Sequence, residues 1–172
     1  MKKFCLFLLL FSLGAAKVQA ADTIAMTLSN SITCTGASSN TIQLNSWSWG
    51  SNEQLSGALL TGKLSLAQLS FNKVFDSCSD PMLKLYFMDT TLGTVTIQQS
   101  RSTGSATPQV LAVVTLNNAF FSSYGVGGTP SSPAAEYWAL SFDKICVNIY
   151  KQSTTGQTTP GTQVCYANGA PV

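Results

Sequence analysis

Leu69-Ser70-Phe71-Asn72-Lys73-Val74 and, later in the chain, Leu140-Ser141-Phe142-Asp143-Lys144-Ile145 are two near-copies of one hexad. Each alternates apolar with polar side chains over its first four residues, the period of a half-buried β-strand. A single recurrence is too little for a solenoid or a propeller. The hexads therefore predict two strands of a mostly β protein, and the surrounding sequence extends that reading. Short segments rich in Thr, Val, Ile and aromatic residues follow one another, separated by Gly, Ser, Asn and Pro clusters. The expected strands are Thr23–Ser29, Thr41–Trp49, Leu64–Phe75, Gly93–Arg101, Val110–Asn118, Ala119–Tyr124, Tyr137–Tyr150 and Gln163–Ala167. In the seventh, Leu140 and Phe142 share one face while Ile145, Val147 and Ile149 occupy the other, which predicts a bend near Lys144. Gly50–Gly62, Ser102–Gln109 and Gly125–Ala135 read as long polar loops. Ser79-Asp80-Pro81 ahead of Met82–Met88 predicts one short helix, with Asp80 capping its start and Pro81 at the first helical position. Met82, Leu85, Tyr86 and Met88 would pack it on the sheet.

The first twenty residues read as an export signal. Lys2 and Lys3 precede an apolar run from Phe4 to Ala16, and Val18 with Ala20 offers small-residue cleavage after Ala20. The run falls short of the roughly 20 residues that a membrane-spanning helix needs. Cys5 opens the apolar run instead of closing it, which argues against a lipid-anchored form. Residues 21–172 then form one domain, with 152–172 as a C-terminal extension. The full chain has nine basic and seven acidic residues. Loss of Lys2, Lys3 and Lys17 leaves six basic against seven acidic, a net charge of −1. So neutral a chain has no electrostatic footprint for nucleic acid or an anionic membrane, and little repulsion opposes association.

Cys34, Cys78, Cys146 and Cys165 remain after cleavage, an even number that predicts two disulfides in an oxidising compartment. If the strands flanking Ser153–Gly161 fold symmetrically about Thr155-Gly156, Cys146 faces Cys165 within disulfide reach. Cys34–Cys78 follows by elimination. Metal-bound thiolates would call for C-x-x-C spacing, which the chain lacks.

Catalytic chemistry finds little support. The chain has no histidine, which removes the usual general base, the Ser-His and Cys-His systems and the commonest zinc ligand. Asp76 and Asp80 lie close enough to suggest a carboxylate pair, but a capping role for Asp80 competes with it. No calcium loop and no phosphate loop is present; no cofactor or metal is expected. Lys73 and Lys144 hold equivalent places in the hexads, in phase with Phe71 and Phe142, and are candidate interaction residues or lysines snorkelling to solvent. Trp47 and Trp49, on one strand face, and Trp138 suggest either a carbohydrate platform or packing in a core or subunit contact.

Ser46-Trp47-Ser48-Trp49-Gly50, Gly62-Lys63-Leu64-Ser65-Leu66-Ala67-Gln68 running into the first hexad, Asp76 to Leu83, Leu116–Tyr124 with Gly127-Gly128, and Glu136 leading into the second hexad follow one another in a fixed order. In order and spacing, from about Ile42 to Tyr150, they resemble the haemolysin-coregulated protein (Hcp) family of type VI secretion. The resemblance implies a compact two-sheet β-barrel with one flanking helix. It also implies hexameric rings that stack into a tube or hold cargo in the pore, and action by assembly without catalysis. The signal, the four cysteines and the extension set this chain apart from the shared pattern. They suggest secretion through the periplasm, with type II secretion as a candidate exit route. The expected partner is a second copy of the chain or another protein. The alternative is a monomeric secreted adhesin or carbohydrate-binding module on the same scaffold.

Overall fold

The computed structural model describes residues 21–30, 32–34, 41–52, 55–56, 59–60, 65–103, 107–154, 157–167 and 170–172. The signal segment with its cleavage site, the Gly62–Leu64 motif and the Thr155-Gly156 hairpin centre lie outside the described residues. The chain begins with β1 (Asp22–Leu28), β2 (Thr41–Leu44) and β3 (Ser46–Ser48). A ribbon of two-residue strands follows: β4 (Ser51–Asn52), β5 (Leu55–Ser56), β6 (Leu59–Leu60) and β7 (Ser65–Leu66). β4 pairs with β7 and β5 with β6, so the described residues after Gly50 in the expected Gly50–Gly62 loop are paired strands. Then come β8 (Leu69–Val74), α1 (Ser79–Phe87), β9 (Gly93–Arg101) and β10 (Gln109–Thr129). The chain closes with β11 (Ser132–Ser141), β12 (Lys144–Ile149), β13 (Lys151–Gln152), β14 (Thr158–Thr159), β15 (Val164–Ala167) and β16 (Ala170–Pro171).

Two antiparallel sheets share β10. The first runs β2-β1-β9-β10-β12-β15-β16, and the second runs β10-β11-β8-β3. The chain passes between them at three corners, marked by Asn45, Asn118 and Asp143. At Asn45, β2 leaves β1 and β3 joins β8, and the Asn45 amide donates to the Asn72 carbonyl at 2.8 Å. At Asn118, φ is +49°, a left-handed conformation that Asn tolerates better than most residues. The register against β9 shifts there between Leu116 and Ala119. The extra residue moves the buried positions from Val114 and Leu116 to Ala119 and Phe121, so both halves of β10 face one core. Val110–Asn118 and Ala119–Tyr124 are thus one bent strand instead of two. At Phe142-Asp143 the chain leaves β11 for β12, where the sequence changes phase. Asn118 Nδ2 donates to Asp143 Oδ2 at 2.9 Å, tying the second corner to the third.

The ladder does not close on itself, because β2 and β3 bond to different sheets on either side of Asn45. The expected barrel is therefore an open pair of sheets. Its core contains Met26, Ile42, Leu69, Leu116, Leu140 and Ile145, all at most 1% exposed. Leu69 and Leu140, the first residues of the two hexads, face each other across β8 and β11. The hexads are otherwise not equivalent. The first is one straight strand, whereas the second spans the corner into β12.

The Gly125–Ala135 segment is not a loop. β10 and β11 continue as a hairpin to the pair Thr129 and Ser132. Gly127, Gly128 and small side chains hide the strand from an apolar pattern, while the backbone ladder holds it.

Candidate functional site

Lys73 and Glu136 face each other directly across β8 and β11. Both point inward, at 0% and 1% exposure. Lys73 is therefore not a surface lysine, and neither the interaction role nor the snorkelling expected of it is available. Its Nζ lies 2.8 Å from Glu136 Oε2 and 2.8 Å from Asp76 Oδ1. It also donates to the Val74 carbonyl at 2.8 Å and approaches Ser79 Oγ at 3.0 Å. Ser79 Oγ in turn donates to Glu136 Oε2 at 2.7 Å. Three ammonium donors thus meet four acceptors drawn from β8, the turn after it, α1 and β11. This is the arrangement a buried ion pair needs to offset its desolvation. Burial first, then the charge of Glu136, raises the pKa of the Tyr124 phenol above its ordinary value.

The same cluster starts the helix. Asp76 Oδ1 accepts the Cys78 amide at 2.8 Å, and Ser79 Oγ accepts the Asp76 amide at 3.1 Å. Asp80 makes no such bond; the helix has no side-chain cap and begins at Ser79 after Cys78. Asp76 displaces it because an Asp two residues before an amide closes a local turn without needing a helix. The cluster sets an amine, a hydroxyl and a carboxylate together, as a Ser-Lys nucleophile would require. However, Ser79 is itself buried, with its hydroxyl proton committed to Glu136. The geometry is that of a clamp joining helix to sheet. Sequence reading does not single out Glu136 and Ser79 as partners of Lys73, although Glu136 lies in phase with the inward Trp138 and Leu140.

Lys144 occupies a different environment, half-buried at the start of β12 opposite Asn117. Trp138, 2% exposed, stacks on Phe71 with ring centroids 6.4 Å apart and meets Tyr86 of the helix edge-on at 6.1 Å. It cannot serve as a sugar platform. Trp47 and Trp49 are half-buried and pack against the core. Cys34 is joined to Cys78 beside the start of α1, and Cys146 to Cys165 between β12 and β15. Among the described residues, no group of three or more His, Cys, Asp or Glu side chains is placed to hold a metal ion. No described helix is long and apolar enough to cross a membrane.

Three surface features stand out among the described residues. The outer face of the second sheet carries an uncharged depression of about 450 Å³ between Ser46, Ser48, Ser70, Asn72, Ser123 and Tyr137. A second concavity, about 360 Å³, is formed by Trp49, Val147, Ile149, Val164 and Tyr166 at the β12–β15 edge of the first sheet. At the far end of α1, Phe87 and Met88 project into solvent at 73% and 64% exposure. Met88 thus does not pack on the sheet as expected, whereas Met82 is fully buried.

The fold matches solved structures of type VI secretion proteins. A structure described as a type six secretion system protein superposes with a TM-score of 0.76 at 14% identity, covering 88% of this chain and all of that one. Hcp1 from Salmonella typhimurium matches with a TM-score of 0.66 at 14% identity, over 88% of this chain and 99% of that one. A type VI secretion system effector from Yersinia pestis matches with a TM-score of 0.61 at 14% identity, over 84% and 98% of the two chains. No curated protein sequence matches the chain. The family model for the type VI secretion system effector Hcp matches residues 33–149, about two-thirds of the sequence. The chain belongs to the Hcp family.

Proposed function

We propose that the mature protein is secreted and acts by assembling with copies of itself, in a hexameric ring, and not by catalysis. The observation that carries this reading is the Hcp family match over a two-sheet fold whose sparsely charged surface presents outward apolar side chains. Low net charge leaves little repulsion between copies. The two disulfides support passage through an oxidising compartment. Export begins with cleavage of the signal after Ala20, and type II secretion is the proposed exit. The reading as a monomeric carbohydrate-binding module loses its three-tryptophan platform, because Trp138 is buried and Trp47 packs on the core, which leaves Trp49 alone at an open concavity.

Electron microscopy of the purified, non-reduced mature protein tests the reading. Ring-shaped particles with six-fold averages are expected. Uniform particles of single-chain size would overturn it.

A further inference from the structure

The end of α1 is an unusually firm place for exposed apolar side chains. Asp89 takes a left-handed φ of +48°. Its amide donates to the Tyr86 carbonyl at 3.2 Å, and the Thr90 amide donates to the Leu85 carbonyl at 3.0 Å. This pair of bonds is the Schellman ending, here with Asp where glycine is usual. Phe87 and Met88 are thereby held on a fixed terminus, backed by Tyr86, whose ring packs edge-on against Trp138. A fixed side chain loses less freedom on binding than one on a loose loop.

The concavity at the β12–β15 edge lies on the other sheet. Ile149 and Val164 expose 66% and 65% of their surfaces there, with Trp49, Val147 and Tyr166 around them. The Cys146–Cys165 bond ties together β12 and β15, the two strands that line it. Its volume of about 360 Å³ sits at the small end of the roughly 300–1,000 Å³ range of ligand cavities, a size suited to a pair of side chains. No charged side chain lines it. The rims offer one pair of opposite charges: Asp89, exposed, follows Phe87-Met88, with Lys84 a turn earlier on the helix, and Lys151, exposed, lies two residues beyond Ile149. Neither Asp89 nor Lys151 forms an ion pair among the described residues.

We propose that Phe87 and Met88 of one copy seat in the Trp49–Val147–Ile149–Val164–Tyr166 concavity of a second copy, with Asp89 beside Lys151. The proposal rests on the self-association reading and names the surfaces that would carry it. The two patches are different, so the contact is heterologous and propagates head to tail into a closed ring or an open filament. Phe87 alone presents on the order of 150 Å². A standard interface takes about 800 Å² from each partner, so the pair forms the centre of a wider contact. Rim charges of opposite sign favour encounter in this register.

The test is light scattering behind a sizing column on the non-reduced mature protein, on Phe87→Asp, on Ile149→Asp and on their mixture. Unchanged circular dichroism and the absence of free thiols report that each variant is folded. Wild type is expected to assemble, and each variant to weaken association by about 30-fold or more, as loss of a central anchor does. Phe87→Leu, which keeps an apolar end, is expected to assemble. Phe87→Asp retains an intact concavity and Ile149→Asp an intact helix end, so their mixture should yield a two-chain species that neither forms alone. A folded variant that assembles like wild type overturns this pairing while self-association stands. So does a mixture that stays monomeric when both variants dissociate. A monomeric wild type overturns the self-association reading itself.

Discussion

Replacing Lys73 by Met removes the one cation from a site that also holds Glu136 and Asp76. Asp76 is 35% exposed at its side chain and can turn to water, whereas Glu136 is sealed at 1%. The substitution keeps the volume of the stem but strands the Glu136 carboxylate without a cation, leaving it the Ser79 hydroxyl and the Tyr124 phenol as neutral donors. Breaking a buried pair from one side costs about 3–5 kcal/mol. Against a total stability of about 5–15 kcal/mol that is a large share. For a domain of this length it corresponds to a fall of roughly 6–20 °C in Tm. The double variant Lys73→Met/Glu136→Leu removes both buried charges and should recover most of the loss, since a well-packed apolar pair often matches a buried ion pair. Urea unfolding of the non-reduced protein, followed by far-UV circular dichroism, measures all three proteins at one pH. A single variant costing less than about 1 kcal/mol, in the range of exposed pairs, would refute the reasoning. So would a double variant no better than the single, because the damage would then lie in packing and not in the orphaned carboxylate.

Asp89→Gly should raise stability by about 0.5–1 kcal/mol by relieving the left-handed residue at the helix end, measured as a shift in urea midpoint with unchanged slope. Removing Cys34–Cys78 as a double Ala variant should cost about 4 kcal/mol and removing Cys146–Cys165 about 3, because their sequence separations are 44 and 19; thermal unfolding of each gives the order. Asp22 is bonded to Arg101 through Nε at 2.8 Å, and that hydrogen bond holds its pKa below the ordinary 3.8. The pair's contribution is therefore present at neutral pH and fades as acid takes the pH down through the folded-state value. Asp22→Asn should flatten that acid-side slope of stability against pH, a small difference that added salt reduces.

Local signals carried much of this fold. Alternation marks β9 residue for residue, whereas the expected Leu64–Phe75 strand divides into β7 and β8 at Ala67-Gln68; the strand-phase argument around Leu140 and Ile145 locates the corner into β12. Hairpin symmetry sets Cys146 opposite Cys165, the pairing present between β12 and β15. What escaped depends on partners distant in sequence or on backbone alone. Glu136 lies 63 residues from Lys73, and only strand pairing reveals that an inward lysine meets an inward carboxylate. The Gly125–Ala135 hairpin lacks an apolar face, so its ladder leaves no side-chain pattern. Asp80 reads as a cap because it precedes Pro81, yet the turn formed by Asp76 reaches the helix start first. Whether two sheets close into a barrel turns on hydrogen bonds at Asn45, which no periodicity encodes. The outward turn of Phe87 and Met88 was equally hidden, since a nine-residue helix offers too few turns for its buried face to be read unambiguously.

The central claim is that the protein works as an assembly, and its solution mass tests that most directly. Light scattering behind a sizing column on the mature, non-reduced chain should give a mass near six chains, held over a wide range of concentration. A mass of one chain across the same range would contradict the account, and the Hcp fold would then serve here as a monomeric scaffold.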